Sequence, residues 1–318
     1  MHIMVIGDVM VDSYLWGKVE RISPEAPVPV VTCTKRENRM GGAANVALNL
    51  SSLGAKVVMC AVTGSDEKAL LLRQLMEQEG MPDGLLLSDT GRVTTTKTRV
   101  ISGSQQLIRV DEEDVHFLDA TMENVFIEKI ITYLDRAKVD AIIFQDYDKG
   151  VITPRLIGEV VKKANQLHIS TLVDPKRRNF AHYRSVSLFK PNFKEFLEGQ
   201  KLEISRNSLA EIAEAGKSYL AKSGNKLLLL TLSDEGIFVT DGTKQSVIPA
   251  HKRDIADVSG AGDTVISVAA LCLAAGCDPA LTAALANLAG GLVCEKLGVV
   301  PIDREIFLQE SYGIETSW

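Results

Sequence analysis

The sequence is poor in cysteine, with Cys33, Cys60, Cys272, Cys277 and Cys294 in 318 residues and no CxxC pair among them. An odd and scattered set excludes a disulfide scaffold and fits free thiols in a reducing compartment. Histidine is equally scarce, and its five copies form no HExxH pair, which removes that class of zinc hydrolase. Positive charge is not in surplus. The net charge of −6 excludes a dedicated nucleic-acid binder, whose surface needs a basic footprint. The longest apolar stretches, near 265–275 and 281–294, are too short or too interrupted to cross a bilayer. The first twelve residues lack a basic n-region and are broken by Asp8, so they read as a first strand and not a signal peptide. The expected location is the cytoplasm, with no membrane partner. There is no GxxxxGK[ST] loop, and Val265 stands where a dinucleotide fingerprint needs its third glycine, which removes P-loop enzymes and Rossmann dehydrogenases.

What is present is ordinary in bulk: 46% hydrophobic and 24% charged residues, enough chain for one large α/β domain. Short apolar runs alternate with helical patterns. Strands are expected at 3–7, 28–33, 56–62, 139–144, 170–173, 186–189 and 226–231, with a hairpin through 236–249. Helices are expected from Gly41-Gly42 to Leu53, at 67–79, 121–136, 154–167 and 207–222, and from about 261 and 279. Repeated βα units imply a mostly parallel sheet covered by helices. Two strand-rich insertions, about 11–37 and 91–112, break that rhythm. The second holds a hairpin signal at Ser102-Gly103-Ser104. We read them as a small β-sheet lid within a single domain spanning 1–318.

The most informative stretch is Asp257-Val258-Ser259-Gly260-Ala261-Gly262-Asp263-Thr264, followed by an apolar helix. Glycines there permit a tight turn, and the amides of residues 260–263 can converge on an anion at the helix N-terminus. Asp263 would sit beside that anion as a weak base, because a helix N-terminus favours the ionised carboxylate. The alternative is a plain helix cap. Asn192-Phe193-Lys194-Glu195 puts two polar groups on one helical turn and can equally be a capping box. Asp8 and Asp12 flank a strand end, where open α/β sheets bind ligands. Lys97, Arg99 and Arg109 gather in the lid hairpin, with Lys97 and Arg99 on one strand face. Arginine forks match phosphate oxygens, although basic strand faces also serve to guard a sheet edge.

Together these motifs resemble the ribokinase-like (PfkB) carbohydrate kinase family. That resemblance implies a three-layer α/β/α fold with a mostly parallel central sheet and a small β-sheet lid. It implies an anion hole at Gly260, Ala261 and Gly262, and Asp263 as the catalytic base. Gly41, Gly42 and Asn45 match the first family signature and would contact the sugar, as would Asp8. Asn192 and Glu195 would order Mg²⁺, its waters and the ATP phosphates, with Glu195 reaching the metal through water. Thr231, Ser233 and Gly236 would lie at the nucleotide, although the family usually has glycine where Ser233 stands. Asn287 falls where the family approaches the adenine. A monovalent cation near Asp257 is a further possibility of the family.

Over residues 1–300 the sequence is most similar to the kinase half of bacterial D-glycero-D-manno-heptose 7-phosphate kinases. The stretches that carry this are Arg21–Val30, Gln105–Asp111, Asp146–Gly150 and Val173–Lys176. The implied reaction moves a phosphoryl group from ATP to the C1 hydroxyl, an early step toward ADP-heptose for lipopolysaccharide. Asp12, Lys97, Arg99, Gln106 and Arg109 would bind the substrate, Lys176 the phosphates, and Asp146 the metal. Adenylylation would fall to a separate protein. A homodimer through the lid edge is expected. Another sugar or sugar-phosphate kinase is the first alternative, and a catalytically silent sensor on the same scaffold is the second.

Overall fold

The computed structural model describes residues 1–318 apart from 82, 83, 104, 207, 315 and 317. Ser104 of the expected hairpin turn and Asn207 at the expected start of a helix lie outside the described residues. In chain order the elements are β1 His2–Gly7, β2 Val9–Ile22, β3 Pro29–Gly42, α1 Ala43–Ser52, β4 Lys56–Thr63, α2 Glu67–Gln78, β5 Leu85–Ser88, β6 Thr96–Ser102 and β7 Gln105–Glu112. There follow α3 Ala120–Arg136, β8 Ala141–Gln145, α4 Pro154–Gln166, β9 Ser170–Asp174, β10 Leu188–Phe189, α5 Phe193–Gln200, α6 Leu209–Ser223 and β11 Leu227–Thr231. The chain closes with β12 Ile237–Thr240, β13 Gln245–Ile248, α7 Ala261–Ala274, α8 Pro279–Cys294 and α9 Arg304–Ser311.

Nine strands form the central sheet in the order β13-β12-β11-β10-β9-β8-β1-β4-β5. It is parallel from β11 to β5, and the β12 and β13 pairings are antiparallel. Alternate side chains of β1 enter opposite cores. Ile3 and Val5 pack with α1, α7 and α8, while Met4 and Ile6 pack with α3, α4 and α6. Burial on both faces explains why these strands read as unbroken apolar runs. The three α/β/α layers follow from that double covering.

A second, four-stranded sheet runs β3-β2-β6-β7. β2 and β3 pair along most of their length, from Val9↔Gly42 to Ile22↔Pro29. They therefore extend past both expected bounds of the first insertion and grow directly from the ends of β1 and α1. The expected strand at 186–189 shortens to Leu188–Phe189, and β5 was not foreseen, because a short leucine run is ambiguous by periodicity.

Gly42 makes the turn from β3 into α1 with φ of 58°, and a Cβ there would meet the Asp8 carbonyl oxygen at 2.5 Å. Buried Asn49 ties three segments together. Its amide donates to the Asn45 carbonyl at 2.9 Å, and its Oδ1 accepts from Thr264 Oγ1 at 3.1 Å and from the Ile302 amide at 3.0 Å. Asn49→Ala strands the buried Ile302 amide and leaves Thr264 Oγ1 only the Gly260 carbonyl at 3.2 Å, so we predict a loss of about 1–3 kcal/mol, read as a lowered urea midpoint with unchanged slope.

Candidate active site

Most helices of this fold begin on a side-chain cap. Asp66, Asp119, Thr153, Asn192, Asp278 and Asp303 each accept a first-turn amide. α1 and α7 are different: each starts on a glycine with positive φ, Gly42 at 58° and Gly260 at 84°, with no side-chain cap. The two helices pack together and bring Asn45 against Asp263. Gly260 is needed for this approach, since a Cβ there would stand 3.0 Å from Asn45 Nδ2.

Asp263 is buried, and three donors hold it. Asn45 Nδ2 donates to Oδ2 at 2.8 Å, while Gln145 Nε2 and Tyr147 Oη donate to Oδ1 at 3.0 Å and 2.7 Å. Burial pushes the carboxyl up to about 7, against the Asn45 and Tyr147 hydrogen bonds that favour its charge. Desolvation thus outweighs the helix N-terminus, which alone would favour the ionised carboxylate.

Next to it lies a buried ion pair. Lys190 Nζ meets Asp174 Oδ2 at 2.9 Å, and Gln145 Nε2 also reaches Asp174 Oδ2 at 3.3 Å. A Cβ on Gly262 would stand 3.6 Å from both charged atoms of the pair, so Lys190 adjoins the first turn of α7. There, the Ala261 amide turns back to the Val258 carbonyl at 3.3 Å, so it is already occupied within the expected anion hole. Lys176 pairs with Glu195 and lies over the Tyr147 ring at 5.6 Å. Burial works against the Lys176 charge, but Asp174 and Glu195 outweigh it and raise its pKa.

Asn192 and Glu195 form a complete capping box at the start of α5, and the Glu195 carboxylate is further held by Lys176. Thr231 bridges to Asn192 between the sheet and that turn. Ser233 follows at φ of 60°, which explains why glycine suits this position. Gly236 is also at positive φ, and a Cβ there would meet the Ile248 carbonyl oxygen at 2.0 Å. The Asn287 side chain donates to the Pro249 carbonyl at 2.8 Å and so fixes the segment after β13.

The acidic residues divide. Asp8 gives both oxygens to a loop, accepting from the amides of Tyr147, Lys149 and Val151 at 2.8–3.1 Å. It holds that loop in place of standing open to a sugar. Asp146 turns to the opposite core, where Asn179 Nδ2 and Tyr183 Oη donate to its Oδ2 at 2.9 Å and 2.8 Å. Burial, then the charge on Asp8, push its carboxyl up to about 7. That setting does not suit a metal ligand, and among the described residues no group of three acidic, His or Cys side chains is placed to hold a metal. Asp12 pairs with Arg99 beside Gly41, whose missing Cβ makes room for the Asp12 carboxylate.

In the lid sheet, Lys97 pairs with Asp111 and Glu113, and Arg109 with Asp111. Arg99 and Arg109 face one another across β6 and β7. Gln106 is exposed on β7, opposite Ile101. Sequence reasoning missed Gln145, Tyr147, Asp174 and Lys190 as site residues. Gln145 and Asp174 end the adjacent parallel strands β8 and β9, and Lys190 directly follows β10, a placement that marks ligand sites in open sheets.

The profile described as "pfkB family carbohydrate kinase" matches residues 1–304. A protein from Koribacter versatilis named "Bifunctional protein HldE" is 38% identical over 302 residues, covering 95% of this chain and 61% of its own length. Its namesake from Geotalea uraniireducens is 40% identical over 299 residues, covering 93% and 60%. This chain thus spans about three fifths of the length of these relatives. Among solved structures, Escherichia coli phosphofructokinase-2 in complex with substrates and products has a TM-score of 0.81 at 17% identity, covering 98% of each chain. Arabidopsis thaliana ribokinase complexed with ribose and ATP has a TM-score of 0.74 at 16% identity, also covering 98% of each. Both likenesses speak to the fold, and the family match to the rest: this chain belongs to the pfkB family of carbohydrate kinases.

Proposed function

We propose that the protein phosphorylates D-glycero-D-manno-heptose 7-phosphate at its C1 hydroxyl, using ATP, with Asp263 as the base. The single observation that carries this reading is the buried Asp263 carboxylate, held by three donors at an uncapped helix N-terminus. The amides of Gly262 and Asp263 stabilise the charge on the phosphoryl group in flight, and Lys190 and Lys176 stand close enough to share that work. An anomeric hydroxyl is more acidic than an ordinary alcohol, so a base near 7 is well matched to it. Asp12, Gly41 and Asn45 line the acceptor side.

The donor set fits a triphosphate with magnesium. Free first-turn amides and two lysines suit phosphate oxygens, and Mg²⁺ is often held by one or two carboxylates with its waters. Glu195 would hold Mg²⁺ through water, and Asp174 is the other carboxylate beside this turn. When bound, the metal offsets charge on the phosphate oxygens.

The 7-phosphate would lie in the lid. Like charges opposed across a strand pair are unfavourable, and Arg99 and Arg109 are opposed, Arg99 beside Asp12 and Asp257 and Arg109 beside Asp111. A substrate phosphate between them would add a bidentate counter-charge to the two guanidinium forks. The likeness to the HldE relatives over 95% and 93% of this chain is in line with the heptose reading. The open edge of β3 would pair with a second copy to form a dimer.

Asp263→Asn should lower kcat by roughly 10²–10⁴-fold while ATP still binds, as followed by ADP release and by calorimetry. Near-normal turnover would remove the base from the mechanism. Arg109→Ala should raise KM for heptose 7-phosphate roughly 10–100-fold with kcat little changed. A panel including the unphosphorylated heptose tests the acceptor: equal kcat/KM with and without the 7-phosphate would contradict the lid assignment.

A further inference from the structure

We propose that Tyr147 and Gln145 are positioning residues that saturate Oδ1 of Asp263, leaving one lone pair of Oδ2 to take the proton of the acceptor hydroxyl. The proposal rests on Asp263 being the base. An ionised carboxylate has about four acceptor sites. Two on Oδ1 are filled by Gln145 Nε2 and Tyr147 Oη, and one on Oδ2 by Asn45 Nδ2. The remaining site is on Oδ2. In the transfer, the acceptor O–H bond breaks as its oxygen bonds to the γ-phosphorus. The bond to the bridging oxygen breaks with its electron pair leaving on ADP, and the proton stays on Oδ2 until solvent removes it.

The orientation of Gln145 is fixed by charge. Its Nε2 lies between Asp263 and Asp174, and a flipped amide would set an oxygen against two carboxylates. This leaves Gln145 Oε1 buried without a hydrogen-bond partner. Tyr147 is placed by its backbone. The three amides held by Asp8, together with positive φ at Asp148 and Gly150, shape the loop that swings its hydroxyl to Asp263. Burial and the nearby Asp263 charge keep that hydroxyl protonated, so it donates to the ionised carboxylate.

The charged and polar groups facing Asp263 include Asn45 from α1, Gln145 at the end of β8, Tyr147 after it, Asp174 from β9, Lys190 after β10, and Lys176. Asp174 raises its pKa, and Lys190 and the Tyr147 hydroxyl lower it. Removing the hydroxyl therefore raises it. The test is a ¹³C NMR titration of aspartate carboxyls in the unliganded protein, with the Asp263 signal identified by its loss in Asp263→Asn. Tyr147→Phe should move the Asp263 midpoint upward by about one pH unit. In kinetics, the acid limb of kcat should move upward equally, with KM for ATP unchanged. Gln145→Met removes the other Oδ1 donor and should move both readouts the same way, which keeps the test open if Tyr147→Phe does not fold. Tyr183→Phe, at the other buried tyrosine–aspartate bond, should leave the Asp263 midpoint in place. An unmoved midpoint in the folded Tyr147 and Gln145 variants overturns the proposal, as does an equal shift in Tyr183→Phe. The titration needs no sugar, so a wild-type protein inactive on every sugar phosphate would sink the kinase reading and leave this test standing.

Discussion

The site depends on a carboxylate kept out of water and kept from its preferred charge. A buried carboxylate without partners would simply hold its proton. Asp263 is given three hydrogen-bond donors, so the charged form is reachable near neutrality, while burial stops it from being favoured outright. Those donors come from the first turn of α1 and from the loop leaving β8. The geometry around Asp263 therefore requires that both segments meet the start of α7. Much of the surrounding structure serves that meeting: Gly42 and Gly260 let the helices begin close together, and Asn49 locks α1 to α7 and to the segment at Ile302.

The same loop links Asp263 to the lid sheet. Tyr147 touches Asp263, and two residues later Lys149 pairs with Glu113, which also holds Lys97 of the lid sheet. Asp8 fastens the backbone between them. A second contact runs from β2 and β3 to the segment after α8, where Arg39 donates to the Leu297 and Val299 carbonyls and Tyr14 accepts from the Val299 amide. The lid sheet is thus tied to the central layers at two places by polar contacts.

What was legible in the sequence was local. Gly260, Gly262 and Asp263 announce a turn entering a helix, and Gly41-Gly42 announces another, because backbone freedom is written in glycine itself. The parallel sheet was legible because strands buried on both faces form continuous apolar runs. The unread residues act through convergence. Gln145, Asp174 and Lys190 end three successive strands of the sheet, and only sheet order puts them at one point. Asp8 and Asp146 looked like ligand carboxylates, but whether an aspartate faces a cleft or braces a loop is decided by which amides lie within reach. The lid cations were visible as a cluster. Their pairing with Asp12, Asp111 and Glu113 depends on register across strands, which spacing along one strand does not reveal.

The central claim is that the first turn of α7 grips the moving phosphoryl group while Asp263 Oδ2 faces its recipient. The direct measurement is a crystal structure with ADP, magnesium, an aluminium fluoride mimic of the phosphoryl group and the sugar phosphate. The account predicts the planar mimic against the Gly262 and Asp263 amides, within hydrogen-bond distance of Lys190 or Lys176, with the acceptor hydroxyl on Asp263 Oδ2. A mimic bound away from that turn, or an acceptor oxygen out of reach of Asp263, would contradict it.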